Sequence, residues 1–158
     1  MVQHFILPSK RANLHGGYFM SEKTVLLVED NPADVDLTLI AFRQIHFPFK
    51  VVVARDGIEA LEYLFGTGKY AGRDKNDVPM LILLDLKMPR MNGFDVLKKM
   101  REDPSLKHVY VVILTSSSQE GDRTKAMNLG ADLYLQKAVD FDEFVEIVQQ
   151  VETLMTSV

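Results

Sequence analysis

The sequence predicts an α/β fold in which five parallel strands form one doubly wound sheet with helices on both faces. Strand-like and helix-like patterns alternate five times along the chain, which is typical of β-α-β units joined by right-handed crossovers. The strand-like runs are short and apolar throughout, as strands covered on both faces are. Because the carboxyl ends of parallel strands lie at one edge of a sheet, we expect the polar side chains that end these runs to converge there. These side chains are Glu29, Asp30, Asp85, Thr115 and Lys137.

Capping residues delimit the first two β-α units. Residues 24–28 form the first strand, and an asparagine cap followed by a proline opens a helix over about residues 31–46. The second strand spans residues 51–53. Residues 56–59 (DGIE) then start the second helix in the manner of a capping box.

The second half of the chain continues the alternation after a long connection. Residues 66–79 contain glycines and mixed charge without apolar periodicity, which predicts a loop, and a solvated connection is favoured over a recognition element. Gly130 is placed to end the fourth helix. The remaining elements are strands over residues 81–84, 109–114 and 133–135, and helices over about residues 92–103, 120–129 and 140–155.

Size and charge exclude several classes of protein. The 158 residues make one domain, and 47% hydrophobic with 25% charged residues is ordinary for a soluble globular protein. A net charge of −4 without a Lys/Arg block argues against a nucleic-acid surface. The chain has no cysteine, which excludes thiolate metal sites and fits a reducing cytoplasm. No apolar run approaches the length of a membrane span, so we expect a cytoplasmic protein without a membrane partner.

The first 20 residues do not share the pattern of the domain. Their apolar patch at residues 5–7 is cut off by Pro8, and a secretory signal would need a longer apolar core. Residues 20–23 (MSEK), directly before the first strand, look like an alternative translation start. We therefore interpret residues 1–20 as a disordered extension or a start-site artefact, and residues 21–158 as the domain. A functional N-terminal arm is the alternative.

Residues 85–93 (DLKMPRMNG) carry the most specific motif of the chain: an aspartate with a proline four residues on and a glycine eight residues on. An acidic pair follows the first strand, a hydroxyl ends the fourth and a lysine follows the fifth. Taken singly, each of these residues is more often a cap or a turn residue, but their joint order overturns that interpretation. The set resembles the receiver domain of bacterial two-component response regulators over about residues 23–154. The resemblance implies a flavodoxin-like (βα)5 fold with strand order 2-1-3-4-5.

The resemblance gives each polar residue a role. Asp85 is the phosphate acceptor, and its attack on a like-charged phosphoryl group requires cations. Thr115 and Lys137 would each bind a phosphoryl oxygen. Carboxylates together with phosphate oxygens suit Mg²⁺. The ligands implied are Asp30, Asp85, Glu29 through a water, and the backbone carbonyl of Lys87.

Two positions near Lys137 carry further expectations: Tyr134 for switching and Ala138 for the backbone geometry. In receivers an aromatic residue three positions before the lysine rotates inward as the hydroxyl residue moves, and Tyr134 has that spacing from Lys137. An ordinary core role is the alternative for Tyr134. Ala138 departs from the family, which usually has a proline after the lysine, often in a cis peptide, so the geometry of the Lys137–Ala138 peptide stays open.

The function implied is that of a single-domain response regulator phosphorylated by a histidine kinase or phosphotransfer protein. It would signal through phosphorylation-dependent contacts with a protein that the sequence does not name. It would be no enzyme beyond assisting its own Mg²⁺-dependent phosphorylation and dephosphorylation. Ile147 and Leu154 widen the apolar stripe of the last helix, so a homodimer through the fourth helix, fifth strand and fifth helix is expected. The chain looks most like stand-alone receivers of the bacterial phytochrome response regulator type.

Other classes fit the residues less well. A haloacid-dehalogenase-type phosphatase requires a second aspartate two residues after the first, and Lys87 stands there. A nucleotide-binding loop at residues 66–69 lacks the glycine and the Ser or Thr of its pattern. A flavodoxin-like redox protein would need a phosphate-binding loop after the first strand instead of acidic residues. A receiver-like scaffold or adaptor that works without phosphorylation remains the alternative.

Overall fold

A computed structural model of the chain describes residues 23–157 and the two-residue strand His4–Phe5. The strands are β1 (His4–Phe5), β2 (Thr24–Val28), β3 (Lys50–Ala54), β4 (Leu81–Leu84), β5 (Tyr110–Thr115) and β6 (Leu133–Gln136). The helices are α1 (Pro32–Gln44), α2 (Gly57–Phe65), α3 (Gly93–Glu102), α4 (Glu120–Asn128) and α5 (Phe141–Ser157), with a single 3-10 turn at Gly68–Tyr70.

All strands belong to one sheet in the order β1-β3-β2-β4-β5-β6. The strands from β2 to β6 pair in parallel. If these five strands are numbered 1 to 5 along the chain, they lie side by side in the order 2-1-3-4-5, so the predicted topology is confirmed. β1 is an addition that the sequence did not predict: it pairs antiparallel with β3 at the outer edge, with His4 opposite Val52. The remainder of residues 1–20, interpreted above as a disordered extension or an artefact, lies outside the described residues.

The two faces of the sheet are covered by different helices. Leu26 and Val28 of β2 point into a core shared with α2, α3 and α4, whereas Val25 and Leu27 point into a core shared with α1 and α5. This alternation is the period-two geometry of a strand buried on both sides. Helices therefore cover both faces of the sheet, and a functional site is expected at the ends of the strands.

Helix caps fix where the chain leaves each strand. Asn31 follows β2 and caps α1, because its side chain accepts hydrogen bonds from the N–H groups of Ala33 and Asp34. At α2 the Asp56 carboxylate accepts from the Glu59 N–H at 2.9 Å. The Glu59 carboxylate reaches back to the Arg55 N–H at 3.0 Å, one residue before the cap, so the predicted capping box is shifted by one position.

The last helix buries its apolar stripe more fully than expected. Ile147 and Leu154 are half-buried and pack against the core beneath α5. Among the residues whose burial is described, the large apolar side chains that are exposed lie elsewhere, at Ile40, Met127 and Val139.

Every peptide bond of the described residues is trans, including the one between Lys137 and Ala138. Within the same residues, no helix combines the length and the apolar character that crossing a bilayer requires.

Candidate functional site

Hydrogen bonds of the sheet continue past the strand ends and position the polar residues at the carboxyl edge. The N–H of Glu29 donates to Ala54 O at 3.0 Å, and the N–H of Asp85 donates to Val28 O at 3.1 Å. The N–H of Lys137 donates to Thr115 O at 2.7 Å. The side chains of Glu29, Asp85 and Lys137 are therefore attached to backbone that the sheet itself holds.

The structure brings three carboxylates together at this edge. Glu29, Asp30 and Asp85 each place one carboxylate oxygen within 4.8 Å of a carboxylate oxygen of the other two. Glu29 and Asp85 are buried, and Asp30 is half-buried. So short a spacing between carboxylates is unfavourable unless protons or cations neutralise part of the charge.

Lys137 supplies a cation on one side of the cluster. Its Nζ donates to Glu29 Oε1 and, at 3.0 Å, to Asp34 Oδ2, and lies 3.6 Å from Asp85 Oδ2. The sequence placed Glu29 and Asp85 beside this lysine but missed Asp34. A carboxylate in the first turn of a helix is commonly explained by its interaction with the helix dipole, so the sequence did not indicate that Asp34 contacts Lys137.

Burial and neighbouring charges shift the pKa values of Glu29 and Lys137. Burial, reinforced by the neighbouring Asp85, raises the pKa of Glu29 to about 8, although Lys137 opposes the shift. Burial by itself lowers the pKa of Lys137, but the Glu29, Asp85 and Asp34 carboxylates outweigh it and raise that pKa. The cluster thus carries more negative charge than one ammonium balances.

The donor set fits a divalent cation. Carboxylate oxygens are hard ligands, and the clustered oxygens of Glu29, Asp30 and Asp85 share one accessible edge. The raised pKa of Glu29 reflects the cost of placing a buried anion beside Asp85. A metal ion would supply positive charge at this edge and so lower that cost.

The loop after β4 holds Asp85 in place. The Leu86 N–H donates to Asp85 Oδ1 at 2.8 Å, which leaves Oδ2 on the side of Lys137. The N–H of Gly93 donates to Leu86 O at 3.0 Å, and a Cβ at Gly93 would come within 2.2 Å of the Asp85 carbonyl oxygen. Only glycine allows this close approach, which explains the glycine eight residues after the aspartate. An open groove of about 390 Å³ lies beside the loop, lined by Leu86, Lys87, Met88, Asn92 and Phe94.

A hydrogen-bonded chain links Thr115 to Tyr134. Thr115 is fully buried, and its Oγ1 accepts from the Ser117 N–H at 3.4 Å. The Tyr134 hydroxyl donates to Ser117 O at 3.2 Å, and Tyr134 as a residue is 8% exposed. Tyr134 therefore lies inward in this structure, where it belongs to the core as the alternative interpretation expects. Its hydroxyl is still connected, through one loop residue, to the hydroxyl of Thr115.

Asp122 of α4 is a second residue that the sequence did not indicate. Its Oδ2 accepts from the Ser117 hydroxyl at 2.6 Å and lies 3.5 Å from Lys87 Nζ. The loops after β4 and β5 are thus joined through α4. Asp122 stands in the first turn of a polar helix, so its sequence context predicts only a helix-dipole role.

Comparison with known proteins identifies the family. The model of the response regulator receiver domain matches residues 25–149. Response regulator Rcp1 of Synechocystis sp. (strain ATCC 27184 / PCC 6803 / Kazusa) is 34% identical over 131 residues, which cover 83% of this chain and 87% of Rcp1. Receiver domains of this family are signalling proteins whose phosphodonor is a kinase.

Solved structures agree with the sequence match. The phosphorylated cyanobacterial phytochrome response regulator RcpA superposes with a TM-score of 0.75 at 38% identity, over 84% of this chain and 92% of RcpA. The bacteriophytochrome response regulator AtBRR gives 0.71 at 42% identity, over 82% of this chain and 92% of AtBRR. Rcp1 has been solved in a Mn²⁺-bound form, with a TM-score of 0.75 at 34% identity over 83% of this chain and 92% of Rcp1. The chain therefore belongs to the response regulator receiver domain family and functions as a receiver in two-component signalling.

Proposed function

We propose that this receiver takes a phosphoryl group from a histidine kinase or phosphotransfer protein onto Asp85. The observation that carries the proposal is the setting of the Asp85 carboxylate. It is buried, it is fixed through Oδ1 by the Leu86 N–H, and its Oδ2 stands 3.6 Å from the Lys137 ammonium. A carboxylate that is held next to a cation, with further acidic groups that can hold a metal ion beside it, is suited to nucleophilic attack on phosphorus.

In the proposed reaction an oxygen of Asp85 forms a bond to phosphorus while the bond from phosphorus to the donor nitrogen breaks. The electron pair of the broken bond returns to the donor imidazole, and Asp85 becomes an acyl phosphate. Lys137 would offset charge on the phosphoryl oxygens, and the buried Thr115 hydroxyl would donate to one of them. Phosphorylation and the later hydrolysis would use the same groups, so the receiver assists both steps without acting on another substrate.

We assign the metal of this site as Mg²⁺. Its proposed ligands are Asp30, Asp85, Glu29 through a water, and the backbone carbonyl of Lys87. Magnesium keeps several waters and binds one or two carboxylates together with phosphate oxygens, which fits the clustered acidic groups. When bound, it would supply positive charge that screens the phosphoryl group from the carboxylates. The Mn²⁺-bound form of the related Rcp1 supports a divalent cation as the metal of a receiver of this type.

We assign the switch to Thr115 and Tyr134. The chain of contacts from Thr115 Oγ1 through Ser117 to the Tyr134 hydroxyl supports this pairing, since a displacement of Thr115 would alter the position of Ser117. A contact that forms only with the phosphorylated residue biases a two-state equilibrium. The inward position of Tyr134 is the one we associate with the phosphorylated form.

The proposal is tested by treating the protein with acetyl phosphate in the presence of Mg²⁺ or of a metal chelator. We expect intact-mass analysis to show one added phosphoryl group with Mg²⁺ and none with chelator. The group should be lost in hydroxylamine, as acyl phosphates are. A protein that stays unmodified with acetyl phosphate and with phosphorylated kinases would favour the scaffold or adaptor function, whereas equal labelling with and without metal would contradict the requirement for Mg²⁺.

The same proposal extends to where the protein acts and to the class of partner it contacts. We place the protein in the cytoplasm, which its lack of cysteine supports, and we assign it no nucleic-acid partner because its net charge is −4. The relatives Rcp1, RcpA and AtBRR, matched over most of their own length, support a stand-alone receiver of the phytochrome type. Output would then pass through contacts with other proteins.

We also propose a homodimer through α4, β6 and α5, which strengthens when Asp85 is phosphorylated. The exposed Met127 of α4 supports this face, whereas Ile147 and Leu154 contribute only their half-exposed edges. Analytical ultracentrifugation with and without beryllium fluoride, a phosphoryl mimic, should show a shift toward the dimer when the mimic and Mg²⁺ are present. A monomer in both conditions at high micromolar concentration would contradict the dimer.

A further inference from the structure

A fourth carboxylate, that of Asp34, holds the Lys137 ammonium at the edge of the sheet. Lys137 Nζ donates to Asp34 Oδ2 at 3.0 Å, whereas Asp85 Oδ2 lies 3.6 Å away. The lysine side chain is only 13% exposed, so carboxylates rather than water provide most of its acceptors. In this arrangement Asp34 is a closer partner of Lys137 than the proposed phosphate acceptor is.

The backbone of Asp34 is fixed on both sides. Its N–H donates to the Asn31 side chain at 3.3 Å, and its carbonyl accepts from the buried Thr38 hydroxyl at 2.7 Å. The capped first turn of α1 therefore presents the carboxylate to Lys137. The contact is a product of the helix start, and it does not depend on a loose loop.

Asp34 and a phosphoryl group on Asp85 would compete for the same cation. An ammonium has three N–H donors, of which Glu29 and Asp34 accept two. A phosphoryl oxygen gains most from Lys137 when the positive charge is not shared with other anions. Each additional carboxylate at Nζ therefore weakens the hold of Lys137 on the phosphoryl group.

Asp34 stands apart from the carboxylates that can hold the metal. Among the described residues, the acidic cluster with convergent oxygens consists of Glu29, Asp30 and Asp85. A change at Asp34 should therefore affect phosphoryl binding and leave metal binding in place. This separation distinguishes an action through Lys137 from a general disturbance of the site.

We propose that Asp34 is a positioning residue that retains Lys137 in competition with the phosphoryl group and so limits how tightly the site holds it. The proposal rests on the proposed phosphorylation of Asp85. Because the Asp34 side chain is 39% exposed, solvent screens its ion pair, and the effect of removing it is modest. We expect Asp34→Asn to bind a phosphoryl mimic about two- to fivefold more tightly than the wild type, the range of a partly exposed ion pair.

The experiment is a calorimetric titration of beryllium fluoride in saturating Mg²⁺, with a separate titration of Mg²⁺ alone. Asp36→Asn is the matched control, since Asp36 is exposed on the same helix and its loss removes the same charge without touching Lys137. Asp34→Glu keeps the charge and should stay closer to the wild type than Asp34→Asn. The affinity for Mg²⁺ should be the same in Asp34→Asn and Asp36→Asn, which also shows that both variants are folded.

The possible outcomes separate the two proposals. Tighter beryllium fluoride binding by Asp34→Asn alone, at unchanged Mg²⁺ affinity, supports the positioning role. Equal or weaker binding relative to Asp36→Asn overturns it while the proposed function stands. A loss of Mg²⁺ affinity in Asp34→Asn alone also overturns it, because Asp34 would then belong to the metal site. A wild type that binds no beryllium fluoride removes the proposed function, and this inference with it.

Discussion

Replacing Asp85 by asparagine is expected to abolish phosphorylation of this protein. Asparagine has nearly the same shape and can still accept the hydrogen bond from the Leu86 N–H that Oδ1 now accepts at 2.8 Å. It offers no anionic oxygen to phosphorus, however, and a neutral amide is a poor nucleophile. After treatment with acetyl phosphate and Mg²⁺, intact-mass analysis should show one labile phosphoryl group on the wild type and none on Asp85→Asn.

Asp56→Asn provides the control for this experiment. Asp56 is also a buried aspartate at the carboxyl edge of the sheet, where it follows β3, caps α2 and pairs with Arg90. It lies outside the acidic cluster, so Asp56→Asn should be labelled as the wild type is. Equal labelling of wild type and Asp85→Asn would reject Asp85 as the acceptor.

The second large effect is expected at the metal. Asp30→Ala should weaken Mg²⁺ binding more than Glu29→Ala does, because we assign Asp30 as a direct ligand and Glu29 as the holder of a metal-bound water. The contacts of Glu29 support this order, since its carboxylate already accepts from the Asp30 N–H and from Lys137. Loss of a group that holds a metal ligand in place costs about 10- to 100-fold in metal affinity. Loss of a charged ligand should lower the metal affinity by more than this.

Calorimetric titration of Mg²⁺ into the two variants measures this order. Asp36→Asn again serves as the control for a lost negative charge on the nearby helix, and it should remain close to the wild type. If Glu29→Ala proves the weaker binder of the two, the roles assigned to Glu29 and Asp30 are reversed.

The sheet-edge residues could be predicted because each stands at or just after the end of a buried strand. The direction of a parallel strand determines the edge at which it ends, so Asp85 after β4 and Lys137 after β6 had to meet at the same edge. Local signals fixed the helix starts in the same way, as with the Asn31 cap of α1. These features depend on short stretches of sequence that the tertiary structure does not override.

Contacts between distant first turns and loops could not be read from local patterns. Asp34 lies 103 positions from Lys137, and the pairing depends on how α1 leaves the sheet edge. The two residues of β1 are too few to show a strand pattern, and they pair with the outer edge of β3. The sequence predicts that Ile147 and Leu154 widen the stripe of α5 toward solvent, but the core beneath the helix is broad enough to half-bury them.

The central claim is that Asp85 carries the phosphoryl group. Borohydride reduces an acyl phosphate to an alcohol, so a phosphorylated aspartate is converted to homoserine, which peptide mass spectrometry can locate. After phosphorylation of the wild type with Mg²⁺ and reduction, we predict homoserine at position 85, with Asp30 and Asp56 unchanged. Homoserine at one of those other positions, or a phosphoryl group that resists reduction, would contradict the account.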